Sequence, residues 1–159
     1  YHQRKGIAPY DGAEAKQLLR ECCHYLEDEA VQIDGLNFYG SPRQPSFHSW
    51  AFGHPRGVEL SGFWQRIPEG TDVLLVHGPP VGFGDKTHQG ERAGCVDLLR
   101  EVQSRVRPKF VVSGHIHEDN GIRTDGTTVF VNAACCGREG PDGTNFIEHS
   151  PLVFDIEVP

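Results

Sequence analysis

Residues 109–121 read KFVVSGHIHEDNG. An apolar run ends at a glycine, and two histidines follow with one residue between them, His115 and His117. A second stretch, DVLLVHGPP at 72–80, follows the same order: the run Val73–Val76, then His77, Gly78, Pro79 and Pro80. Between the two lie a Gly-rich loop at 81–91 and AGCVDLLREVQSRV at 93–106. The latter places Cys95, Leu98, Leu99, Val102 and Val106 at helical spacing. Strand, loop, helix, strand is the order of a βαβ unit, and strands that are apolar throughout belong to a sheet covered on both faces. In such sheets chemistry collects beyond the C-terminal ends of the strands. His77 and the His115/His117 pair stand at two such ends, so adjacent strands would gather three imidazoles by topology alone.

Outward from this unit, Asp11 is placed to cap a helix through about Cys23, with Ala15, Leu18, Leu19 and Cys22 on one face. HYLEDEAVQIDGLNFYG, at 24–40, reads as short strands around turns. SPRQPSFHSWAFGHPRG, at 41–57, is an ordered loop in which Phe47, Trp50 and Phe52 are expected to be buried. VELSGFWQRI reads as a short helix, TTVFVNAACC as a third strand of the unit's type, and PLVFDIEV, which alternates near the C-terminus, as another strand.

The bulk numbers bound the function. A chain of 159 residues builds one domain with a sizeable core. A net charge of -7 weighs against a nucleic-acid polymer as partner, which requires a basic face. No run approaches a membrane span or resembles a signal peptide, so neither a membrane nor secretion is expected. The five cysteines, at 22, 23, 95, 135 and 136, form no spaced framework and read as reduced, mostly buried thiols of a cytoplasmic protein. Met is 0 and the first residue is Tyr1, so the chain is either processed or part of a longer protein.

Nine histidines are present, and His2, His24, His48, His54, His88 and His149 read as surface or satisfied core residues. His77, His115 and His117 differ because each follows an apolar strand beside glycine, which permits a tight turn and close approach of a ligand. Imidazole suits Zn, Mn and Fe. On an extended segment His115 and His117 point the same way and Ile116 points into the core. Spacing alone stops at a metal site of unknown chemistry. A cupin is disfavoured because Glu118 follows His117 at the wrong offset and a helix lies at 92–105. A nucleophile elbow, G-x-S-x-G, is absent, and GFGDKTHQG lacks the spacing of a phosphate-binding P-loop.

VHGPP followed by SGHIHE across a βαβ unit resembles the calcineurin-like metallophosphoesterases. The stretches IDGLNFYGSP, SWAFGHPRG, IPEGTDVLLVHGPP, RAGCVDLLREVQSRVRPK and GHIHEDNGIRTDGTTVFVNAACC resemble the metallophosphoesterase-domain-containing, class III phosphodiesterase-like subfamily, from about Val31 to the C-terminus. The resemblance implies an α/β fold of four layers, an α/β/β/α sandwich, of which residues 1–159 are the C-terminal portion. It implies two divalent metal ions, Mn favoured over Fe or Zn, and hydrolysis of a small phosphodiester, cyclic nucleotides included. His77 matches the H-G motif, His115 the first histidine of G-H-x-H, and His117 the last. The first two attach to one metal and the third to the other. The D-x-H and G-N-H motifs, with the bridging carboxylate and the histidine that acts as acid, have no counterpart in the chain.

Two metals about 3.5–4 Å apart turn a bridging water into hydroxide and clamp the phosphoryl oxygens. The histidines are therefore expected to be ligands, not nucleophiles. Gly78, Pro79, Pro80 and the loop from Gly82 to Asp85 are expected to line the substrate pocket, and Asn132 to shape it or to close a strand-end turn. Arg138 is within reach of a phosphate but reads as a solvated arginine. The alternatives are a truncated, non-catalytic interaction or regulatory protein with a partial metal site, and a mononuclear three-histidine zinc enzyme.

Overall fold

A computed structural model describes residues 11–137 and 146–158. Its centre is a six-stranded sheet. The chain enters it through β1 (Glu29–Ile33) and β2 (Leu36–Ser41), an antiparallel hairpin closed by Asp34 and Gly35 in left-handed backbone. Two short strands, β3 (Gln44–Pro45) and β4 (Gly53–His54), pair with each other outside that sheet. Helix α2 (Val58–Trp64) leads to β5 (Val73–Val76), and helix α3 (Val96–Glu101) leads to β6 (Phe110–Ser113). A hairpin of β7 (Gly121–Thr124) and β8 (Val129–Asn132) completes the sheet, whose order is β1-β2-β5-β6-β8-β7. Strands β2, β5, β6 and β8 are parallel, and the edges β1 and β7 are antiparallel.

Register explains the core. Tyr39, Leu74, Val111 and Phe130 are paired in one row across the four parallel strands, and all four are buried. Against this row pack Leu60 and Trp64 of α2 and Cys95, Leu98, Val102 and Val106 of the α3 segment. Both sets follow helical spacing, which brings one stripe of each helix onto the sheet. Each such side chain contributes roughly 1.5–3 kcal/mol by leaving water. The predicted helix over 93–106 begins at Val96 and widens into a π-turn over Val102–Val106, ended by Arg107 in left-handed backbone. Arg105 leaves that turn to donate to the carbonyls of Trp64 and Ile67, which satisfies the end of α2.

Several expectations do not hold. Helix α1 (Gly12–Cys22) is capped by Asp11 through the amide of Ala13, as its sequence implies, but buries none of its residues. Phe47, Trp50 and Phe52 are exposed rather than buried. Cys95 is the one buried thiol of the five, and all five are free. PLVFDIEV half-buries Leu152, Phe154 and Ile156 in alternation, and Phe154 stacks on Phe110 at 4.7 Å, yet it forms no ladder with any strand. Strand β7 was not anticipated. Its hairpin is closed by Asp125, whose Oδ1 accepts from the amides of Thr127 and Thr128. The sheet face opposite the helices is only partly covered, and Leu75, in the interior strand β5, is 37% exposed there. Among the described residues, no helix is long and apolar enough to cross a membrane.

Candidate metal centre

The C-terminal ends of β5 and β6 are neighbours, and the amide of Gly114 donates to the carbonyl of His77 at 2.9 Å to hold them together. This adjacency brings His77 and His115 together: Nε2 of His77 lies 3.1 Å from Nδ1 of His115, with ring centroids 4.8 Å apart. His115 adopts φ +68 between a Gly114 carbonyl and an Ile116 amide that bond to each other at 2.7 Å. That is a γ-turn of the positive-φ kind, strained for any residue with a side chain. It costs on the order of 1–3 kcal/mol, which the surrounding packing must offset.

The turn also breaks the alternation expected along SGHIHE. Ile116 is buried as predicted, and His117 starts a 3-10 turn (His117–Asp119) in place of a continued extended segment. His117 also lines a cleft of about 440 Å³, together with His88, Glu118, Phe146, Glu148 and His149. Among the described residues, no three His, Cys, Asp or Glu side chains stand together as a metal-binding group. The structure thus joins His77 to His115, with His117 near enough for its charge to act on both rings.

Electrostatics favour neutral rings. His77 keeps an exposed edge, but the protein packed around it disfavours the imidazolium and lowers its pKa, as does the charge His117 can carry. His115 is lowered for the same reason first, and then by His77 and His117. Neutral imidazole is the form that binds metal. Two nitrogens bound to one tetrahedral ion at about 2.0–2.1 Å lie roughly 3.3–3.4 Å apart, so the observed pair fits one edge of a coordination shell. The same separation is a hydrogen bond when one facing nitrogen carries the proton.

The remaining predicted residues act beneath the cleft. Gly78, Pro79 and Pro80 are buried. Gly78 packs on Gln44, and the Pro79 carbonyl accepts from the amide of Cys95 at 3.0 Å. Asn132 is buried as well: its amide donates to the carbonyls of Gly84 and Ile116, and its oxygen accepts from the amide of Ala134. It ties three loops together and offers no free group to a ligand. Asp85 faces inward too, with Oδ1 accepting from Gly82 and Arg92 and Oδ2 from the amide of Gly94. Glu118 and Asp119 hold the same loop from outside through the amides of His88 and Lys86. Arg138 and His2 lie outside the described residues.

Three neighbours were not legible in the sequence. His149 donates from Nε2 to the carbonyl of His117, 3.1 Å away, from a segment 32 residues on. Phe47 and Trp50 reach His115 edge-on, at 6.0 and 6.1 Å between ring centroids. The only sequence signal was the density of aromatics in SFHSWAF.

No family model matches the chain. It is 45% identical over 155 residues to metallophosphoesterase domain-containing protein 1 of Homo sapiens, across 96% of this chain and 45% of that protein. It is 46% identical over 147 residues to a UPF0046 protein of Caenorhabditis elegans, across 92% of this chain and 36% of that protein. The chain therefore spans less than half the length of these curated relatives. A solved crystal structure, 19% identical, superposes with a TM-score of 0.52 over 69% of this chain and 45% of that one, a likeness of fold alone. At this identity over nearly all its length, the chain is a homologue of proteins named metallophosphoesterase domain-containing protein 1 and UPF0046.

Proposed function

We propose that the protein is a metal-dependent phosphoester hydrolase acting on small phosphodiesters, cyclic nucleotides included, in the cytoplasm. The observation that carries this reading is the His77–His115 pair: two imidazoles, 3.1 Å apart, at the ends of adjacent parallel strands, where burial disfavours the charged form. The names of the relatives, metallophosphoesterase domain-containing protein 1, support the reaction class. In this reading His77 and His115 serve one divalent ion, His117 serves a second, and carboxylates from outside the 159 residues complete both. Mn²⁺ is favoured over Fe and Zn. When bound, such ions supply a hydroxide near neutral pH and neutralise phosphoryl charge.

The chain's own residues place the ligands. The γ-turn at His115 aims its ring at His77, the Gly114 amide holds the two strand ends, and Asn132 fixes the turn from below. Gly78, Pro79 and Pro80 work through His77, whose backbone they anchor, and substrate contacts fall to the rings around the cleft. The architecture we propose is the four-layer sandwich, with a second sheet lying on the open face that carries Leu75. Residues 1–159 then form the C-terminal portion of one catalytic domain.

A second reading, a non-catalytic regulatory protein with a partial site, draws on the absence of three converging ligands among the described residues. Both are tested by Mn²⁺-dependent hydrolysis of bis(p-nitrophenyl) phosphate by full-length protein and by its His117→Ala variant. Loss of turnover in the variant is expected. Undiminished turnover removes His117 as a ligand, and no turnover in either protein, despite bound Mn²⁺, favours the regulatory reading.

A further inference from the structure

The segment between β3 and β4 leaves two large aromatics about half exposed: Phe47 is 47% and Trp50 55% exposed. It is nevertheless a built loop. Its neck is closed by pairing of Gln44–Pro45 with Gly53–His54, and by the amide of Ser46 donating to the carbonyl of His54 at 2.9 Å. Gln44, itself buried, donates its side-chain amide to the carbonyl of Ala51. Within the loop the Trp50 amide donates to the Phe47 carbonyl, and His48 and Phe52 are held at φ +50 and +60. For Phe52 this is an uncommon backbone state, and such strain is concentrated at ligand clamps.

The rings form a corner. Phe47 and Trp50 stand perpendicular, 86° apart with centroids at 5.3 Å, and each meets His115 at 82°. A planar group placed there lies face-on to one ring and edge-on to the other, the two arrangements aromatic pairs prefer. Its far end then reaches the His77–His115 pair. Scattered exposed apolar residues are ordinary, but a fixed aromatic corner in contact with a candidate ligand is not.

We infer that Phe47 and Trp50 form a stacking wall that selects phosphoesters bearing a planar aromatic ring. The inference rests on the reading of His77 and His115 as the phosphoester site. Phe47 and Trp50 are positioned to bind substrate and take no part in bond breaking.

Adenosine 5′-phosphate and ribose 5′-phosphate differ by the base alone, and they separate the two ideas. Each is titrated into Mn²⁺-loaded full-length protein, followed by tryptophan emission and by calorimetry. Within this chain Trp64 is buried, so a ligand-dependent change reports Trp50, and the Trp50→Phe variant identifies its share. Adenosine 5′-phosphate is expected to quench emission, ribose 5′-phosphate to leave it unchanged, and Trp50→Phe to remove the response. Stacking of one base implies at least about a fivefold preference for adenosine 5′-phosphate, which the double variant Phe47→Ala/Trp50→Ala reduces below about twofold. Binding of both ligands with the preference intact in the double variant overturns the wall and leaves the phosphoester site standing. Binding of neither ligand removes the site and the wall with it. Failure of acrylamide to reach Trp50 in the unliganded full-length protein also overturns the wall, because the corner is then covered by protein.

Discussion

Replacing Asp85 by Asn keeps shape and volume and removes one charge from a wholly buried group. The carboxylate accepts from three donors: the Gly82 amide at 3.0 Å and Arg92 at 2.7 Å on Oδ1, and the Gly94 amide at 3.0 Å on Oδ2. In the better of its two orientations Asn leaves its NH₂ facing the Gly94 amide. Two buried donors, the Gly94 N–H and the new NH₂, then face each other unpaired, at about 1–3 kcal/mol each. The two surviving bonds lose charge assistance, roughly 0.5–1 kcal/mol each. The Arg92 share takes the lower figure because its side chain is 51% exposed. The sum is about 3–7 kcal/mol. Urea unfolding of full-length wild type and Asp85→Asn measures it if the loop and the sheet unfold together. If the loop opens first, the loss is expected in hydrogen-exchange protection of the Gly82 and Gly94 amides. A global loss under about 1 kcal/mol together with unchanged protection of both amides refutes the assignment.

Two further outcomes follow from the same coordinates. Both His77 and His115 have folded pKa values below 6.5, so in chelator-treated protein the unfolded chain binds more protons than the native one between those values and 6.5. Stability is therefore full above about pH 6.5 and falls as pH drops toward the folded values. A His77→Gln/His115→Gln variant is expected to flatten that dependence between about pH 7.5 and about pH 5.5, and an unaltered slope contradicts it. At Gly94, a Cβ would sit 2.6 Å from backbone atoms of Pro80 and Val81, where nothing flexible can yield. Gly94→Ala is expected to cost about 3 kcal/mol or more in thermal or urea unfolding, while Gly12→Ala, which meets nothing within 4 Å, changes stability by no more than about 1 kcal/mol.

Much of this molecule is set by short-range pattern. The spacing of Leu98, Val102 and Val106, the apolar runs at 73–76 and 110–112, and the cap at Asp11 are each read within a few residues. Helical and strand periods are local, and so is capping. The adjacency of His77 to the G-H-x-H segment followed as well, since a βαβ unit places consecutive strand ends side by side.

Alternation alone was insufficient for PLVFDIEV, because a strand exists only when a second strand accepts its hydrogen bonds. Amphipathic spacing in α1 likewise marked a face without giving it anything to pack on. The aromatics of SFHSWAF read as core because their size favours burial, yet the neck between β3 and β4 holds them outward. The γ-turn at His115 depends on where the Gly114 amide is pulled by the His77 carbonyl, 37 residues away in sequence, and that single turn ends the extended backbone before His117. Local sequence thus determines which residues stand at the strand ends. The directions in which they point come from backbone hydrogen bonds between segments distant in the chain, which no window of sequence contains.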